Sequence, residues 1–573
     1  MACGFGVWNR CGAAVLLMLL SSICSSSFAQ EADSGSLRLS GQAQLSGDFY
    51  GSSSSPAGFE PSVRPSSLLR FVLTPTLTYG EFQLPITIAI SSKQTNVTTP
   101  FAPEQSFQQF LQNPLNTVSL SPKYGWAQLH LGTQTPRYSE LSTGDLPAFG
   151  VGAELSPGPV LVAGFYGTTQ RAIQPDSASN IIGAYQRNML AAKIGLGERE
   201  LRYVDFTVVH LADDTTSIAR SPLGFVPPQQ GSLASLATFF RLSNQLSLKA
   251  EGAVSLFTRD QRVPEFTGSD LDFLASLQPI RESTRLDLGA TATVALNEDA
   301  WGAEAELRYL GDGFVPLGYP YQPSDLFELR LSPRVQLLEN RLLLNGSIGY
   351  RINNLSGTNL QTATQILAMA NVVAQITDAV MIAASYANFG LRNNVENDTL
   401  KIRTVNQSFT LTPSYTLRAE SLIHTITATI ALNDYSDANT LTGTLNNSNT
   451  TSLFGTWTTA FQAFPLTLSA TVSSVQNTFS GAELSLISAG VSGGYRLMEG
   501  RLRPSLRLGW SRNTFAGFTP DNSITLQADA AWSITETVTW DLSGTATLYS
   551  YGSSRGGGSV SEQLLRTGIT TRF

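Results

Sequence analysis

Val538-Thr-Trp-Asp-Leu-Ser-Gly-Thr-Ala-Thr-Leu-Tyr-Ser-Tyr551 alternates without a break. Val538, Trp540, Leu542, Gly544, Ala546 and Leu548 fall on one side of an extended chain. Thr539, Asp541, Ser543, Thr545, Thr547 and Tyr549 fall on the other. Successive side chains of a strand point to opposite faces, so this is a β-strand with one oily face and one neutral polar face. A helix would scatter the same oily residues around its whole circumference.

The period returns along the chain. Phe82, Leu84, Ile86, Ile88 and Ile90 alternate with Gln83, Thr87 and Ser91. Leu286, Leu288, Ala290, Ala292, Val294 and Leu296 alternate with Arg285, Asp287, Thr291 and Thr293. Phe327, Leu329, Leu331, Val335 and Leu337 alternate with Glu328, Arg330, Ser332, Arg334 and Gln336. Tight connections stand at Tyr79-Gly80, Ser156-Pro-Gly-Pro159, Leu242-Ser-Asn244, Asn297-Glu-Asp299, Glu339-Asn340, Thr377-Asp378, Leu497-Met-Glu-Gly500 and Thr535-Glu536. Between them lie longer polar loops at 51–66, 95–115, 136–146, 173–181, 213–231, 259–283, 312–325, 391–403, 436–448 and 552–560. Short turns on one rim and long loops on the other predict an all-β, single transmembrane antiparallel barrel. With both ends on the short-turn side it needs an even count, about 26 strands within a range of 22 to 26. The stretch 117–134 reads as two strands joined at Gly125. A soluble sandwich, propeller or adhesin would also alternate, but no blade-like repeat is visible.

Composition agrees. Of 573 residues only 14% are charged, against about 25% in ordinary soluble domains. The net charge of −7 gives no sign of nucleic-acid binding. After residue 30 no run of 18 apolar residues occurs, so a membrane-spanning helix is excluded there. A chain of this kind can enter a membrane only as a closed barrel, because lipid offers no partner for backbone N–H and C=O groups.

Residues 1–29 read as a secretory signal. Arg10 precedes an apolar stretch from Ala13 to Leu20, and Ser27-Phe28-Ala29 predicts cleavage between Ala29 and Gln30. A short periplasmic segment, 30–36, would follow, and then the barrel, 37–573. Cys3, Cys11 and Cys24 all lie in the leader, so a mature chain would have neither disulfides nor thiolate metal sites.

The last strand carries the sharpest local signal. Leu565, Thr567, Ile569, Thr571 and Phe573 share one face, and Arg566, Gly568, Thr570 and Arg572 the other. Gly568 and the terminal Phe573 resemble the signal read by the barrel-assembly machinery of Gram-negative bacteria; Thr571 departs from it, standing where a bulky apolar residue is commoner. Leader, strand rhythm and terminal Phe573 together resemble the outer-membrane β-barrels over nearly the whole mature chain. Leu120-Ser-Pro-Lys-Tyr-Gly-Trp-Ala-Gln-Leu-His-Leu-Gly132, Gly150-Val-Gly-Ala-Glu-Leu-Ser-Pro-Gly158 and Gly164-Phe-Tyr-Gly167 resemble large porin-like barrels of Bacteroidota-type bacteria. That likeness covers residues 117–172 and implies no substrate. With the first strand starting near Leu37, no room is expected for the plug of TonB-dependent transporters.

If the oily rows face lipid, the other rows bring charges into the lumen. Lys249, Glu251, Arg285, Asp287, Glu304, Glu306, Arg308, Glu328, Arg330 and Arg334 form one mixed group. They read either as a wall that shapes permeation or as a cross-strand ion-pair ladder. Arg501, Arg503 and Arg507 form a second group, which either attracts anions or is neutralised by Asp529 and Asp541. Trp126, Trp301, Trp510, Trp532, Trp540, Tyr79, Tyr309 and Tyr350 read as interfacial girdles, with a sugar-stacking platform as the rival. No catalytic, cofactor or metal site is expected: His130, His210 and His424 have no partner motif, and no G-x-S-x-G, H-E-x-x-H or P-loop pattern appears.

The functional expectation is a pore for small polar solutes. Its lumen would be too wide for side chains to fill and would be narrowed by inward loops such as 95–115 or 259–283. The alternatives are a scaffold bound by a lipoprotein or periplasmic partner in secretion or surface assembly, and an outer-membrane enzyme. The expected surroundings are outer-membrane lipid, the barrel-assembly machinery and no nucleic acid.

Overall fold

The computed structural model describes residues 36–55, 66–92, 116–177, 180–219, 226–266, 268, 270–319 and 322–573. The expected leader, its cleavage between Ala29 and Gln30, and the 95–115 loop lie outside the described residues.

Alternation becomes a closed wall. Of the described structure, 68% is strand and 3% helix, and every strand pairs antiparallel with its neighbour in one sheet. Thr117–Leu120 and Lys123–Tyr124 together occupy one position between Phe82–Ser91 and Ala127–Gln134. The gap falls at Ser121-Pro122, where proline has no N–H for the ladder. Counted as one stave, they make a barrel of 26. At about 4.8 Å per strand and a tilt near 40°, such a wall is roughly 50 Å across between backbones.

The ring closes between the first strand, Arg38–Ser55, and the last, Ser559–Arg572, in register from Gln42↔Arg572 to Ser55↔Ser559. The Phe573 N–H donates to the Gly41 carbonyl at 3.1 Å, and the Gly41 N–H donates to the Phe573 carbonyl at 2.8 Å. The expected rhythm holds along the described wall except at two connections of the long-loop rim: Phe515 and Asp521 are joined by five residues, fewer than the six between Tyr495 and Leu502 on the other rim, and one connection is shorter still. Phe479 and Ala482 are joined on the long-loop rim by Ser480-Gly481 alone, whose φ values of 49° and 74° suit a two-residue hairpin turn.

One row of each strand carries large apolar side chains that no protein covers. Ile194, Leu236, Leu288, Ile348, Val472, Val491 and Leu548 are all exposed. A belt of this extent is stable only against an apolar solvent. It is the outer row; the alternate residues form the inner row. Trp126, Trp301, Trp532 and Tyr79 mark the belt toward the short-turn rim, Trp510 and Tyr350 toward the other. Within the belt Trp540 donates its indole N–H to Thr567 Oγ1 at 2.8 Å, so its one polar atom is satisfied in the oily layer.

The belt ends inside two of the longer strands. Arg403–Arg418 and Leu422–Asp437 have 16 residues each, more than the ~10 that a tilted strand needs to cross. Near their long-loop ends the outer row turns polar: Asn388, Gln407, Asp434 and Asn449 stand in register on four consecutive strands. The rung beside them on the inner row carries Phe389 and Phe479 instead. Asn406, Tyr435 and Ser448 stand between those two rings, so here the outer row has lost its oily character, as it would where a wall rises from lipid into water.

Candidate pore constriction

Two loops fold inward against the strands between Ala148 and Leu326. The first, 135–147, leaves the Ala127–Gln134 strand and lies across the inner rows of several others. Lys193 donates its Nζ to the Tyr138 carbonyl at 2.8 Å, and Ser235 Oγ meets Ser139 Oγ at 3.1 Å. The buried Glu251 carboxylate accepts the N–H of Glu140 at 3.0 Å and of Leu141 at 3.3 Å. Glu140 itself reaches Lys249 Nζ at 2.8 Å and Arg308 Nη2 at 3.1 Å. Burial pushes the Glu140 carboxyl up; the Lys249 and Arg308 cations outweigh it and hold the group below its ordinary value.

The second loop, 311–325, packs beside the first. Ser255 Oγ donates to the Val315 carbonyl at 3.0 Å, and the Gly313 N–H donates to Asp287 Oδ2 at 2.8 Å. Phe314 and Leu317 are buried, as is Leu141. They complete two apolar clusters with Leu233, Ala253, Leu310 and Leu326, and with Phe165, Met189, Val209 and Leu211. The loops touch at Gly144, whose φ of +48° and missing Cβ admit the Tyr319 ring. Among the described residues the inward loops are therefore 135–147 and 311–325. The expectation for 259–283 is corrected: Gln278 of that loop bonds Ser232 and Thr258, which stand on the outer row. Burial of Gln278 and Ile280 against the wall holds the segment outside the bore.

The first charge group forms a continuous ladder. From Glu140 it runs through Arg308 to Glu306 (3.5 Å), Arg330 (3.5 Å), Glu328 (2.6 Å) and Arg351 (2.6 Å). Arg285 stands 3.9 Å from Asp312. Asp287 accepts the backbone N–H of Leu288 and Gly313. Glu304 and Arg334 form no ion pair among the described residues.

The second group does not assemble. Arg501 lies in the turn before Leu502–Phe515, because the strand begins one residue later. Arg503 Nε donates to the Gly500 carbonyl at 3.0 Å. Arg507 is exposed on the inner row opposite Ser492 and Gln527 and has no ion pair among the described residues. Asp529 accepts from Ser543 Oγ at 2.6 Å and from Gln527. Asp541 is exposed, opposite Ala531. Neutralisation of the arginines by these aspartates is thus not seen. Ser505, Ser543 and the Gln527 amide donate to Asp529 instead.

Sequence reasoning missed Glu140 and Arg351 in the ladder, and the apolar part of the inner wall. Arg351 has the same parity as Asn345, Ser347 and Asn353 and could have been placed by it. Glu140 could not, since nothing local says which way a loop folds. Leu367 and Phe389 are cross-strand partners on the inner row, with Met369 beside them. In Ile366-Leu367-Ala368-Met369-Ala370 both faces are apolar, so alternation is silent there.

His130 lines a cleft of about 220 Å³ under the first loop with Glu154, Lys193 and Arg137. His210 Nδ1 meets Ser232 Oγ at 2.8 Å, and His424 Nδ1 meets Thr459 Oγ1 at 2.9 Å. No group of three His, Cys, Asp or Glu residues able to hold a metal occurs among the described residues.

No protein-family model matches the chain, and no curated protein matches it in sequence. Among solved structures, OpdK of Pseudomonas aeruginosa with vanillate is 10% identical at a TM-score of 0.31, covering 61% of this chain and 93% of its own. The P pilus usher (PapC) translocation pore is 10% identical at 0.37, covering 94% and 99%. OccAB2 of Acinetobacter baumannii is 10% identical at 0.29, covering 61% and 92%. Likenesses this weak carry no argument about function, and none bears on the Bacteroidota-type resemblance of residues 117–172.

Proposed function

We propose that this chain is an outer-membrane channel for small polar solutes, narrowed on one side by the 135–147 and 311–325 loops. One observation carries the reading: a closed wall of 26 staves, oily outside, whose inner row the described loops pack over only part of its circumference. The inner rows of Arg403–Arg418 and Leu422–Asp437 present Thr410, Thr412, Ser414, Thr425, Thr427 and Thr429. Hydroxyl-lined surface of that kind remains wetted. Export by the N-terminal leader, and recognition of Gly568 and Phe573 by the barrel-assembly machinery, belong to the same reading. The charges on the inner row then either shape permeation or steady the wall, and the Glu140–Arg351 ladder favours the second role for its members.

Pure, folded protein in a planar lipid bilayer is expected to give discrete conductance steps. A preparation that inserts and stays closed to ions at every voltage tried would overturn the channel reading.

The exposed inner Met369, Phe389 and Phe454 favour a second reading, a scaffold whose bore receives a lipoprotein or periplasmic partner. Stoichiometric co-purification in mild detergent, coupled to loss of conductance, would support it.

A further inference from the structure

On the outer row, exposed apolar side chains run upward between Leu236 and Leu288 until two rungs near the long-loop rim break the pattern. Val254 is 45% exposed, yet two residues further Leu256 is 3% exposed, and Thr258 is fully buried. Ser232, the cross-strand partner of Leu256, is buried as well. The cover is the segment 264–281. Its two legs are tied by the Phe266 N–H donating to the Ile280 carbonyl at 2.9 Å and by Arg281 pairing with Glu265 at 3.2 Å. Gln278, 2% exposed, accepts from Ser232 Oγ at 2.9 Å and donates Nε2 to Thr258 Oγ1 at 3.1 Å. Ser232 Oγ also meets His210 Nδ1.

The segment carries an oily outward face. Ile280, 5% exposed, and the Gln278 amide turn to the wall, while Phe266, Phe273 and Leu277 stay exposed at 50%, 72% and 57%, with Glu265, Asp270 and Asp272 exposed beside them. The wall beneath offers the reason: His210, Ser232, Thr258 and Thr284 are polar groups on a row that otherwise meets the oily layer, where unpaired polar groups are expensive. The cover satisfies them on one side and continues the apolar belt on the other.

We propose that the described residues of 264–281 form a lipid-contacting flap, with Phe266, Phe273 and Leu277 seated among the acyl chains of the leaflet at the long-loop rim. This rests on the membrane placement proposed above but not on conduction. Continuity with the belt selects acyl chains as the occupant over a second copy of the chain.

The test uses full-length protein in lipid nanodiscs. Phe273→Cys and Leu277→Cys carry an environment-sensitive fluorophore; the native cysteines, Cys3, Cys11 and Cys24, are replaced by Ser. Leu288→Cys reports the belt, and Thr358→Cys reports a long loop. Labels at 273 and 277 are expected to be quenched several-fold more by doxyl-labelled lipid than by aqueous iodide, as at 288, with the reverse at 358. Iodide quenching at 273 and 277 equal to that at 358, with 288 still lipid-quenched, overturns the flap while leaving the membrane barrel standing. Loss of lipid quenching at 288 as well overturns the membrane placement itself. Protection from both quenchers in particles holding two barrels assigns the surface to a second copy and also overturns the proposal.

Discussion

Glu140 and Arg308 stand 168 residues apart in the chain, and their side chains meet at 3.1 Å inside the barrel. Through that contact and its twin to Lys249, a loop from one end of the wall is latched to strands several positions away. Both ion pairs are partly exposed, so together they stabilise the inward position by on the order of 1 kcal/mol. That is trivial for a 26-stave wall but shifts a two-position loop about fivefold.

Glu140→Gln is therefore expected to leave heat-modifiable migration of the barrel unchanged. It should raise the mean conductance and the open-channel noise. Single-channel recording in planar bilayers checks this, and identical traces from both proteins would count against the latch.

The same carboxylate sets a pH dependence. Its folded value lies below the ordinary 4.5, burial being outweighed by its two cations. A depressed carboxylate contributes stability at pH above its ordinary value and loses it as pH falls through the depressed one. The latch should hold at neutral pH and release only below about pH 4.5, with Glu140→Gln insensitive over that window. Conductance measured from pH 7 down to pH 3 decides it.

Glu251 acts differently, because it is 3% exposed and caps two backbone N–H groups. Glu251→Ala leaves both donors without their acceptor, at a cost of roughly 1–3 kcal/mol each. Trypsin is expected to cut after Arg137 in the folded variant much faster than in the parent, with mass spectrometry locating the cut.

Arg507 is the counterpart on the open side, an inner-row cation with no ion pair among the described residues. Arg507→Glu should move the reversal potential in a salt gradient toward cation preference. At ~0.1 M salt the screening length is about 10 Å, and at ~1 M about 3 Å. The shift should accordingly fade as salt rises. Arg330→Ala, which removes a charge already held between Glu306 and Glu328, should change selectivity less.

Deleting Phe573 removes one reciprocal pair of backbone hydrogen bonds to Gly41 at the seam. It also removes the residue resembling the assembly signal. Folded barrel recovered from the outer membrane is expected to fall several-fold, with Phe573→Trp restoring most of it. Heat-modifiability on gels of membrane fractions gives the readout.

Period-two alternation in stretches such as Val538–Tyr551 was enough to read an all-β closed wall of about 26 strands. The reason is local: side-chain direction in a strand depends only on position parity, and a turn declares itself by its own Gly, Pro and Asn. Parity likewise put Glu306, Arg308, Glu328 and Arg330 on one row. It is silent where both faces are oily, as at Leu367 and Met369, so the apolar part of the inner wall was invisible. Which loops turn into the bore was beyond it too. Polar composition made 259–283 and 136–146 look alike. Only the packed molecule sets Leu141 under Phe314 in one, and Gln278 over Ser232 in the other. Those pairings join residues 46 or more positions apart along the chain, and their geometry exists only once the strands that carry them have paired.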